Sequence, residues 1–223
     1  MRHIVLLLFI SLAIQNIIAQ ETDTIKDIRN NKVYTVVKIG DQWWMQENLN
    51  IGIRIEVGDN ATDNDVIEKY CYDDDESMCD NYGGLYQWDE MMQYHPSGDT
   101  PVSTVQGVCP EGWHIPSQKE WDILAEHLGG SDFAGGKMKE AGTQHWEEPN
   151  TGATNESKFN GLPGGYRSYK DKFSYVGFYG NWWSSTDYTE TGAWKQGLRF
   201  IDSKLNNYIY CKADGLSVRC VKD

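Results

Sequence analysis

The stretch Pro116-Ser117-Gln118-Lys119-Glu120-Trp121 carries the strongest local folding signal in the chain. The Ser117 hydroxyl can accept a hydrogen bond from a free amide at a helix start, and the Glu120 carboxylate can reach back to the Ser117 amide. Gly129-Gly130 is a typical helix end. Between these signals, apolar residues recur at the spacing of one helical face, at Trp121, Leu124, Ala125 and Leu128. The sequence therefore predicts a helix over residues 118–128.

Segments on both sides of this helix have the composition of strands. Residues 32–39 and 42–45 flank Gly40-Asp41, which predicts a hairpin, and residues 51–56 alternate between isoleucine and other residue types. A second helix is predicted over 84–92, where apolar residues have helical spacing. Toward the end of the chain, further strands are predicted over 173–178, 182–185, 194–201, 208–211 and 216–221.

The order of these elements favours a single α+β domain. Residues 131–165 are rich in Gly, Asn and Thr and are predicted to be largely irregular, with at most one short helix near 137–141. Strands come first, helices lie in the middle and strands dominate the end, unlike the alternation of a βαβ protein. We expect a loop-rich fold with mostly antiparallel strands and two short helices.

The first 19 residues are typical of a secretory signal peptide. A short basic start precedes an apolar run over Ile4–Ile14, and Ala19 supplies a small residue at the expected cleavage point. The competing interpretation is a buried N-terminal strand or an uncleaved anchor, although the run is short for a membrane span. We predict a signal peptide over 1–19 and one domain over 20–223. The product is expected to be secreted or on the cell surface, without a transmembrane segment and without a lipid-attachment cysteine, since the first cysteine is Cys71.

Charge and composition narrow the class of partner. The formal net charge is −13, and an acidic surface repels nucleic acid and anionic lipid. The 9 Trp and 13 Tyr residues can each bury a large area, which predicts a core built from rings. Exposed Trp and Tyr also stack on sugar rings, so the composition is compatible with glycan binding.

The five cysteines are disulfide candidates in a chain that is predicted to be exported. Cys71 and Cys79 enclose a short acidic segment, so a local pair is predicted. Pairing Cys109 with Cys220 would tie the middle of the domain to its last strand, whereas pairing Cys211 with Cys220 would staple a hairpin. Spacing alone leaves both pairings open. The sequence has no Cys-x-x-Cys or His-x-x-x-His pattern typical of a zinc site.

Six motifs occur in an order that resembles a known domain family. They are Gly40–Leu49 (with Trp-Met and Glu-Asn-Leu), Asn81–Trp88, Cys109–Ser117 followed by Glu120-Trp121, Leu162–Arg167, Trp182–Thr186 and Ser217–Val221. On these motifs the chain resembles the Fibrobacter succinogenes major paralogous domain family over about 33–222. That family occurs in secreted and surface proteins of Bacteroidota and Fibrobacterota. The resemblance implies a role at the cell surface, with adhesion as a suggestion, and brings no established activity.

The chain is also similar to the wider C-type-lectin-like group, which includes the formylglycine-generating-enzyme type. In that group a Pro-Ser/Thr-x-x-Glu-Trp helix start recurs, and an Arg-Cys-Val strand closes the domain, as Arg219-Cys220-Val221 would here. The resemblance implies a single C-type-lectin-like domain. It also favours the Cys109–Cys220 disulfide, which leaves Cys211 free. The cysteine pair that makes the latter type an enzyme has no counterpart in this chain.

Five of the candidate binding residues belong to the aromatic-rich motifs or the strands beside them. Trp182 and Trp183 are adjacent, so on a strand they point to opposite faces. One ring is predicted to be core and the other to form an exposed sugar-stacking platform beside Arg167 or Asn181. The competing interpretation is that loops cover both rings. Tyr166 and Trp194 complete this group of candidates.

Two acidic loops supply the calcium candidates. Glu148-Pro149-Asn150 matches a sugar and calcium motif of C-type lectins, in which carboxylate and amide oxygens coordinate Ca²⁺. The companion Trp-Asn-Asp of those lectins is absent, and Pro with Asn in a turn is the favoured interpretation. Asp73 and Asp75 are weaker candidates because their spacing is not that of an EF-hand. Glu148 and Asn150 thus remain candidate ligand-binding residues. No cofactor is expected, and Ca²⁺ is the alternative.

Catalytic signatures are sparse. Ser184 and Ser185 lack the Gly-x-Ser-x-Gly context of a nucleophile elbow. The sequence therefore predicts a non-catalytic binding or adhesion module whose partner is an extracellular glycan or a surface protein. The alternatives are an extracellular hydrolase that uses two carboxylates and a structural component of the cell envelope.

Overall fold

The computed structural model describes residues 20–97 and 105–223. The predicted signal peptide, residues 1–19, lies outside this range. The strands of the described part are β1 (Thr22–Lys26), β2 (Val33–Ile39), β3 (Gln42–Met45), β4 (Ile53–Arg54), β5 (Glu68–Lys69), β6 (Leu85–Tyr86), β7 (Trp113–His114), β8 (Gly164–Ser168), β9 (Lys172–Val176), β10 (Tyr179–Asp187), β11 (Gly192–Arg199), β12 (Asn206–Cys211), β13 (Leu216–Ser217) and β14 (Val221–Lys222). The α-helices are α1 (Glu76–Tyr82), α2 (Trp88–Met91), α3 (Gln118–His127) and α4 (Ser131–Met138).

The first sheet has the strand order β1-β2-β3-β14-β7 and is antiparallel throughout. The predicted hairpin is β2–β3, in which Val37 pairs with Trp44. Val221 of β14 pairs with Trp44 on one side and with His114 on the other. The last strand of the chain therefore joins the N-terminal hairpin to the segment that leads into α3.

The second sheet has the order β12-β11-β10-β13-β6, and only the β10–β13 pair is parallel. A separate antiparallel hairpin, β8–β9, packs against β10, and β4 and β5 form a short parallel pair. The described part is therefore a mixed helix and sheet structure with mostly antiparallel strands. The predicted strand over 216–221 is in fact two strands, β13 and β14, which enter different sheets.

The helix predicted from the capping pattern is α3, and the capping box is present. The Ser117 amide donates to Glu120 Oε2 at 2.8 Å, and the Glu120 amide donates to Ser117 Oγ at 3.4 Å. Trp121, Leu124 and Ala125 form its buried face. The helix lies where the sequence predicted it, and its last helical residue is His127, one position before the predicted end.

The prediction of two short helices is wrong, since the described residues form four. The segment 84–92 begins with β6 and only then becomes α2. The acidic segment between Cys71 and Cys79 contains the start of α1, which Asp75 caps by accepting from the Ser77 amide at 2.9 Å. In α4, glycine is required by close packing, because a Cβ on Gly135 would lie 2.2 Å from the carbonyl oxygen of Lys204. The composition of 131–165 predicted mostly irregular structure with at most one short helix near 137–141. The helix lies earlier, at Ser131–Met138, and packs against another backbone segment.

The core consists of two large apolar clusters on opposite sides of β10. Trp182 enters the cluster with Trp44, Trp121 and Phe159, whereas Trp183 enters the cluster with Tyr86, Trp113 and Val218. Their indole nitrogens donate to Asn48 Oδ1 and to the Tyr86 carbonyl, both at 2.8 Å. Burying each ring removes roughly 150–250 Å² from water, a transfer gain of about 4–6 kcal/mol. The rings do point to opposite faces, but both faces are covered.

The structure contains the disulfides Cys71–Cys79 and Cys109–Cys220, and Cys211 is free. This is the pairing favoured by the resemblance rather than the Cys211–Cys220 staple. Beside Cys220, the buried Arg219 guanidinium donates to the carbonyl oxygens of Met45 at 3.1 Å and Gln46 at 2.7 Å. No helix of the described residues is both long and apolar enough to cross a membrane.

Candidate functional site

The candidate site is a cleft of about 300 Å³ between the second sheet and the β8–β9 hairpin. We call it the tyrosine cleft, because five of its lining residues are tyrosines. Its volume lies at the lower end of the range typical of small-molecule sites. The lining residues are Tyr166, Tyr175, Tyr179, Asn181, Lys195, Gly197, Leu198, Arg199, Tyr208 and Tyr210.

Strand alternation builds the floor of the cleft. Side chains on β11 point alternately to opposite faces, so Lys195, Gly197 and Arg199 share one face while Leu198 enters the core. Across the ladders, Lys195 pairs with Tyr208, and Gly197 pairs with Asn181. A Cβ on Gly197 would lie 3.0 Å from Lys195 Nζ, so glycine keeps the space between the two basic residues open.

The walls are a continuous series of tyrosine rings. Tyr166 stacks on Tyr175 with ring centroids 6.0 Å apart. Tyr175 also meets the edge of Tyr179 at 4.9 Å, and Tyr166 meets Tyr210 at 5.7 Å. Tyr175 is 51 % exposed and Tyr208 is 41 % exposed, so both offer ring surface to solvent. The other three tyrosines, Tyr166, Tyr179 and Tyr210, are half-buried and contact Tyr175 or one another.

Lys195 is the buried cation of the cleft, with 4 % of its surface exposed. Its Nζ donates to Asn181 Oδ1 and lies over the rings of Tyr210, at 4.4 Å, and Tyr208, at 4.9 Å. Asn181 is itself fixed by its Nδ2, which donates to the Gly165 carbonyl at 3.1 Å. Burial lowers the pKa of Lys195 to about 7, and the nearby charge of Asp214 opposes this shift.

Two acidic groups near the cleft, Asp214 and Asp202, each have a hydrogen-bonding partner in the protein. Asp214 is 6 % exposed and accepts a hydrogen bond from the Tyr169 amide at 2.8 Å. Burial raises the pKa of Asp214, although the charges of Arg167 and Lys195 act in the opposite direction. Asp202 pairs with Arg199 at the rim of the cleft. Among the residues that the structure describes, no carboxylate lines the tyrosine cleft.

One of the predicted aromatic candidates, Tyr166, lines the cleft. Trp182 and Trp183 are each 0 % exposed, so the prediction that one of them forms an exposed platform is wrong. Trp194 is half-buried and meets the edge of Tyr188 at 5.5 Å, outside the cleft. Of these candidates, Tyr166 therefore lines the cleft, whereas Trp182 and Trp183 are core residues.

Arg167 is a structural residue rather than a surface contact. Its side chain is 0 % exposed, and the guanidinium donates to the carbonyl oxygens of Val57 (2.6 Å), Ala213 (3.1 Å) and Asp59 (3.1 Å). It also lies 4.6 Å from the ring centroid of Tyr70. The prediction of an exposed ring beside Arg167 is therefore wrong: Arg167 is buried and joins β8 to the loop at Val57 and Asp59 and to the turn at Ala213.

The calcium candidates do not come together. Asn150 is buried and its Nδ2 donates to the carbonyls of Glu140 at 3.0 Å and Gly142 at 2.6 Å, whereas the Glu148 side chain is exposed. Asp73 is exposed, and Asp75 caps α1. Within residues 20–97 and 105–223, no group of three or more His, Cys, Asp or Glu side chains is placed to hold a metal ion. The geometry of Asn150 agrees with the turn interpretation.

A second polar cluster surrounds His114, which is 3 % exposed. Its Nδ1 lies 2.6 Å from Asp223 Oδ1, and its Nε2 lies 2.7 Å from Glu120 Oε1. Burial lowers the pKa of His114, but the two carboxylates raise it and prevail. Glu120 also accepts from the Ser117 hydroxyl at 2.8 Å. The cluster joins β7 to the start of α3 and to Asp223, and none of its residues lines the tyrosine cleft.

Most of the cleft was missed at the sequence level. Lys195, Tyr175, Tyr179, Tyr208 and Tyr210 were not candidates, although a signal was present. The patterns Lys195-x-Gly197-x-Arg199 and Tyr208-x-Tyr210 each place polar or aromatic residues at alternate positions of a strand. What the sequence did not show is that the two strands are neighbours.

Comparison with known proteins places the chain in a family. Residues 37–222 match the family described as the Fibrobacter succinogenes major domain. The chain belongs to this family. The match confirms the resemblance carried by the six motifs, and the whole tyrosine cleft lies within the matched residues of the Fibrobacter succinogenes major domain. No curated protein and no solved structure matches the chain.

Proposed function

We propose that this Fibrobacter succinogenes major domain is a non-catalytic binding module that is exported to the cell surface or secreted, and that it binds an extracellular saccharide in the tyrosine cleft. The observation that carries the proposal is the combination of exposed tyrosine rings with a polar floor. Tyr175 and Tyr208 present ring faces, and Asn181 and Lys195 present hydrogen-bonding groups beneath them.

This combination suits a sugar because a sugar ring has an apolar C–H face and a rim of hydroxyl groups. Aromatic ring faces pack against the C–H face, and well-placed polar groups form hydrogen bonds with the hydroxyl groups. Small-molecule sites obtain affinity and orientation in this way. A tyrosine contributes both kinds of surface from a stiff side chain. The cleft therefore needs little ordering when a saccharide binds.

Export and the absence of catalysis are parts of the same proposal. Two disulfides in the described residues support an oxidising compartment, as does the predicted signal peptide. A two-carboxylate hydrolase would need acids that flank the ligand, and the cleft is lined by none. We further propose that binding requires no Ca²⁺, and that the resemblance to C-type-lectin-like domains reflects a shared scaffold.

The test is titration calorimetry of the oxidised protein against a panel of extracellular oligosaccharides, with and without Ca²⁺. Tyr175→Ala and Tyr208→Ala should each weaken binding about five- to tenfold, the effect of losing one ring contact. The matched control is Phe133→Ala, since Phe133 is 63 % exposed on α4 and does not line the cleft. Wild-type affinity in both tyrosine variants, or binding only to a surface protein, would overturn the saccharide proposal.

A further inference from the structure

We propose that the saccharide bound in the tyrosine cleft is acidic, and that Lys195 Nζ binds its carboxylate. The inference rests on the proposed function and names the ligand class of the same site. It follows from three observations: the unused hydrogen-bonding capacity of Lys195, the sign of the charges that line the cleft, and the contrast between this cleft and the rest of the chain.

Lys195 is buried with hydrogen-bonding capacity to spare. An ammonium group has three N–H donors, and one of them is used by Asn181 Oδ1. Its other close neighbours in the described residues are the faces of Tyr208 and Tyr210, which attract the charge but accept no strong hydrogen bond. Burying a charge without a paired partner is costly. A ligand carboxylate would supply both the missing acceptors and the opposite charge.

The charges that line the cleft have one sign. Lys195 and Arg199 are its charged lining residues. Arg199 directs Nε and Nη2 to Asp202, and its Nη1 makes no hydrogen bond to the described residues. Lys195 and Arg199 lie four positions apart on one strand, a separation of about 13 Å. A second basic group at that distance suits a chain of uronic acid units better than a single sugar.

The sign of the charges in the cleft is opposite to the net charge of the protein. The formal net charge is −13, so the average surface disfavours an acidic ligand. Attraction must therefore come from the cleft itself, through charge-assisted hydrogen bonds at short range. The same overall charge would discourage non-specific binding of polyanions elsewhere on the surface, which makes the cleft selective as well as attractive.

The experiment compares acidic oligosaccharides with their neutral methyl esters by titration calorimetry at pH 6. Oligogalacturonate, alginate and hyaluronan fragments are each measured against the ester of the same backbone. At least one acid should bind about tenfold tighter than its ester, as expected for a charge-assisted hydrogen bond. Lys195→Gln should abolish this difference, so that the variant binds acid and ester with affinities within about twofold of each other.

Two further variants keep the test decisive. Arg199→Gln changes a partly exposed residue and should lower affinity for the acid about threefold, even if Lys195→Gln folds poorly. Lys119→Gln removes an exposed positive charge on α3, outside the cleft, and should change nothing. Equal affinity for acid and ester, with both sensitive to Tyr175→Ala, would overturn the inference and keep the proposed function. Binding of no saccharide in the panel would overturn both.

Discussion

Lys139 and Lys195 are both buried ammonium groups, but their surroundings differ. Lys139 Nζ donates to three carbonyl oxygens, those of Thr151 (2.9 Å), Arg199 (3.0 Å) and Asp202 (2.9 Å). Lys195 Nζ has one amide oxygen and two ring faces. Burial lowers the pKa of both, to about 8 for Lys139 and about 7 for Lys195.

The comparison shows that burial of a charge does not by itself indicate a binding site. Lys139 uses every donor inside the protein and ties the end of α4 to the turn after β11. Lys195 has N–H donors without an acceptor among the described residues, and it lines an open cleft. The number of internal acceptors therefore separates a cation that stabilises the fold from one that is available to a ligand.

The largest expected effect is on stability when the saturated lysine is removed. Lys139→Met should lower the free energy of unfolding by at least about 3 kcal/mol, because three buried carbonyls lose their shared donor. Urea denaturation monitored by tryptophan fluorescence measures the loss. Lys137→Met is the control, since Lys137 forms a partly exposed ion pair with Glu156 and should cost less than about 1 kcal/mol. A similar loss in both variants would contradict the structural role of Lys139.

The corresponding change at Lys195 should leave stability nearly intact. Lys195→Met removes a poorly paired buried charge, which relieves desolvation, and loses one hydrogen bond worth about 1 kcal/mol. We expect the free energy of unfolding to stay within about 1 kcal/mol of wild type in the same urea assay. A destabilisation as large as that of Lys139→Met would place Lys195 among the structural cations.

The third expectation is a pH dependence of ligand binding. The protonated form of Lys195 attracts a carboxylate, and its pKa in the free protein is about 7. Affinity for an acidic oligosaccharide should therefore fall about tenfold as pH rises from about 6 to about 8.5, measured by calorimetry. The ester should show no such change, and a flat profile for the acid would argue against Lys195 as its partner.

Other groups around Lys195 do not produce the same profile. Burial raises the pKa of Tyr210 to about 12 and raises that of Tyr166, so these rings stay neutral in this window. Burial raises the pKa of the Asp214 carboxyl, and the charges of Arg167 and Lys195 oppose this shift. The groups that face or influence the ammonium are Tyr166, Tyr179, Asn181, Arg199, Tyr208, Tyr210 and Asp214.

The smallest expected effect is on the pH dependence of stability and concerns His114, whose two ring nitrogens are each hydrogen-bonded to a carboxylate. A pKa raised by folding means that the stabilisation is fully present below the unfolded value near 6.5 and is lost as pH rises through the folded value. The free energy of unfolding should therefore decrease modestly above neutral pH, and His114→Gln should flatten that part of the profile. A profile that is unchanged in the variant would assign the dependence to another group. Glu120 has a lowered pKa, so its contribution is lost only at acidic pH.

The fold was more predictable than the site because its signals are local. The capping box of α3 and the β2–β3 hairpin depend on residues close in sequence. The Cys71–Cys79 pair was predicted from its short spacing, and the Cys109–Cys220 pair from the resemblance to C-type-lectin-like domains. The tyrosine cleft combines Tyr166 with Tyr210 across 44 positions of sequence, and no local pattern states that β8 lies over β12. The prediction that Trp182 or Trp183 is exposed failed for a related reason. Strand alternation shows that the two rings point to opposite faces, but it does not show that both faces of the sheet are covered.

The position of β14 inside the first sheet, between β3 and β7, has a consequence for biogenesis. Residues 42–45 and 113–114 are made early, yet both pair with Val221. A chain that leaves a ribosome or a secretion channel from its N-terminus must hold these segments unpaired until residue 221 emerges. Such late closure slows folding, because pairing between segments distant in sequence must wait until the intervening chain has been made.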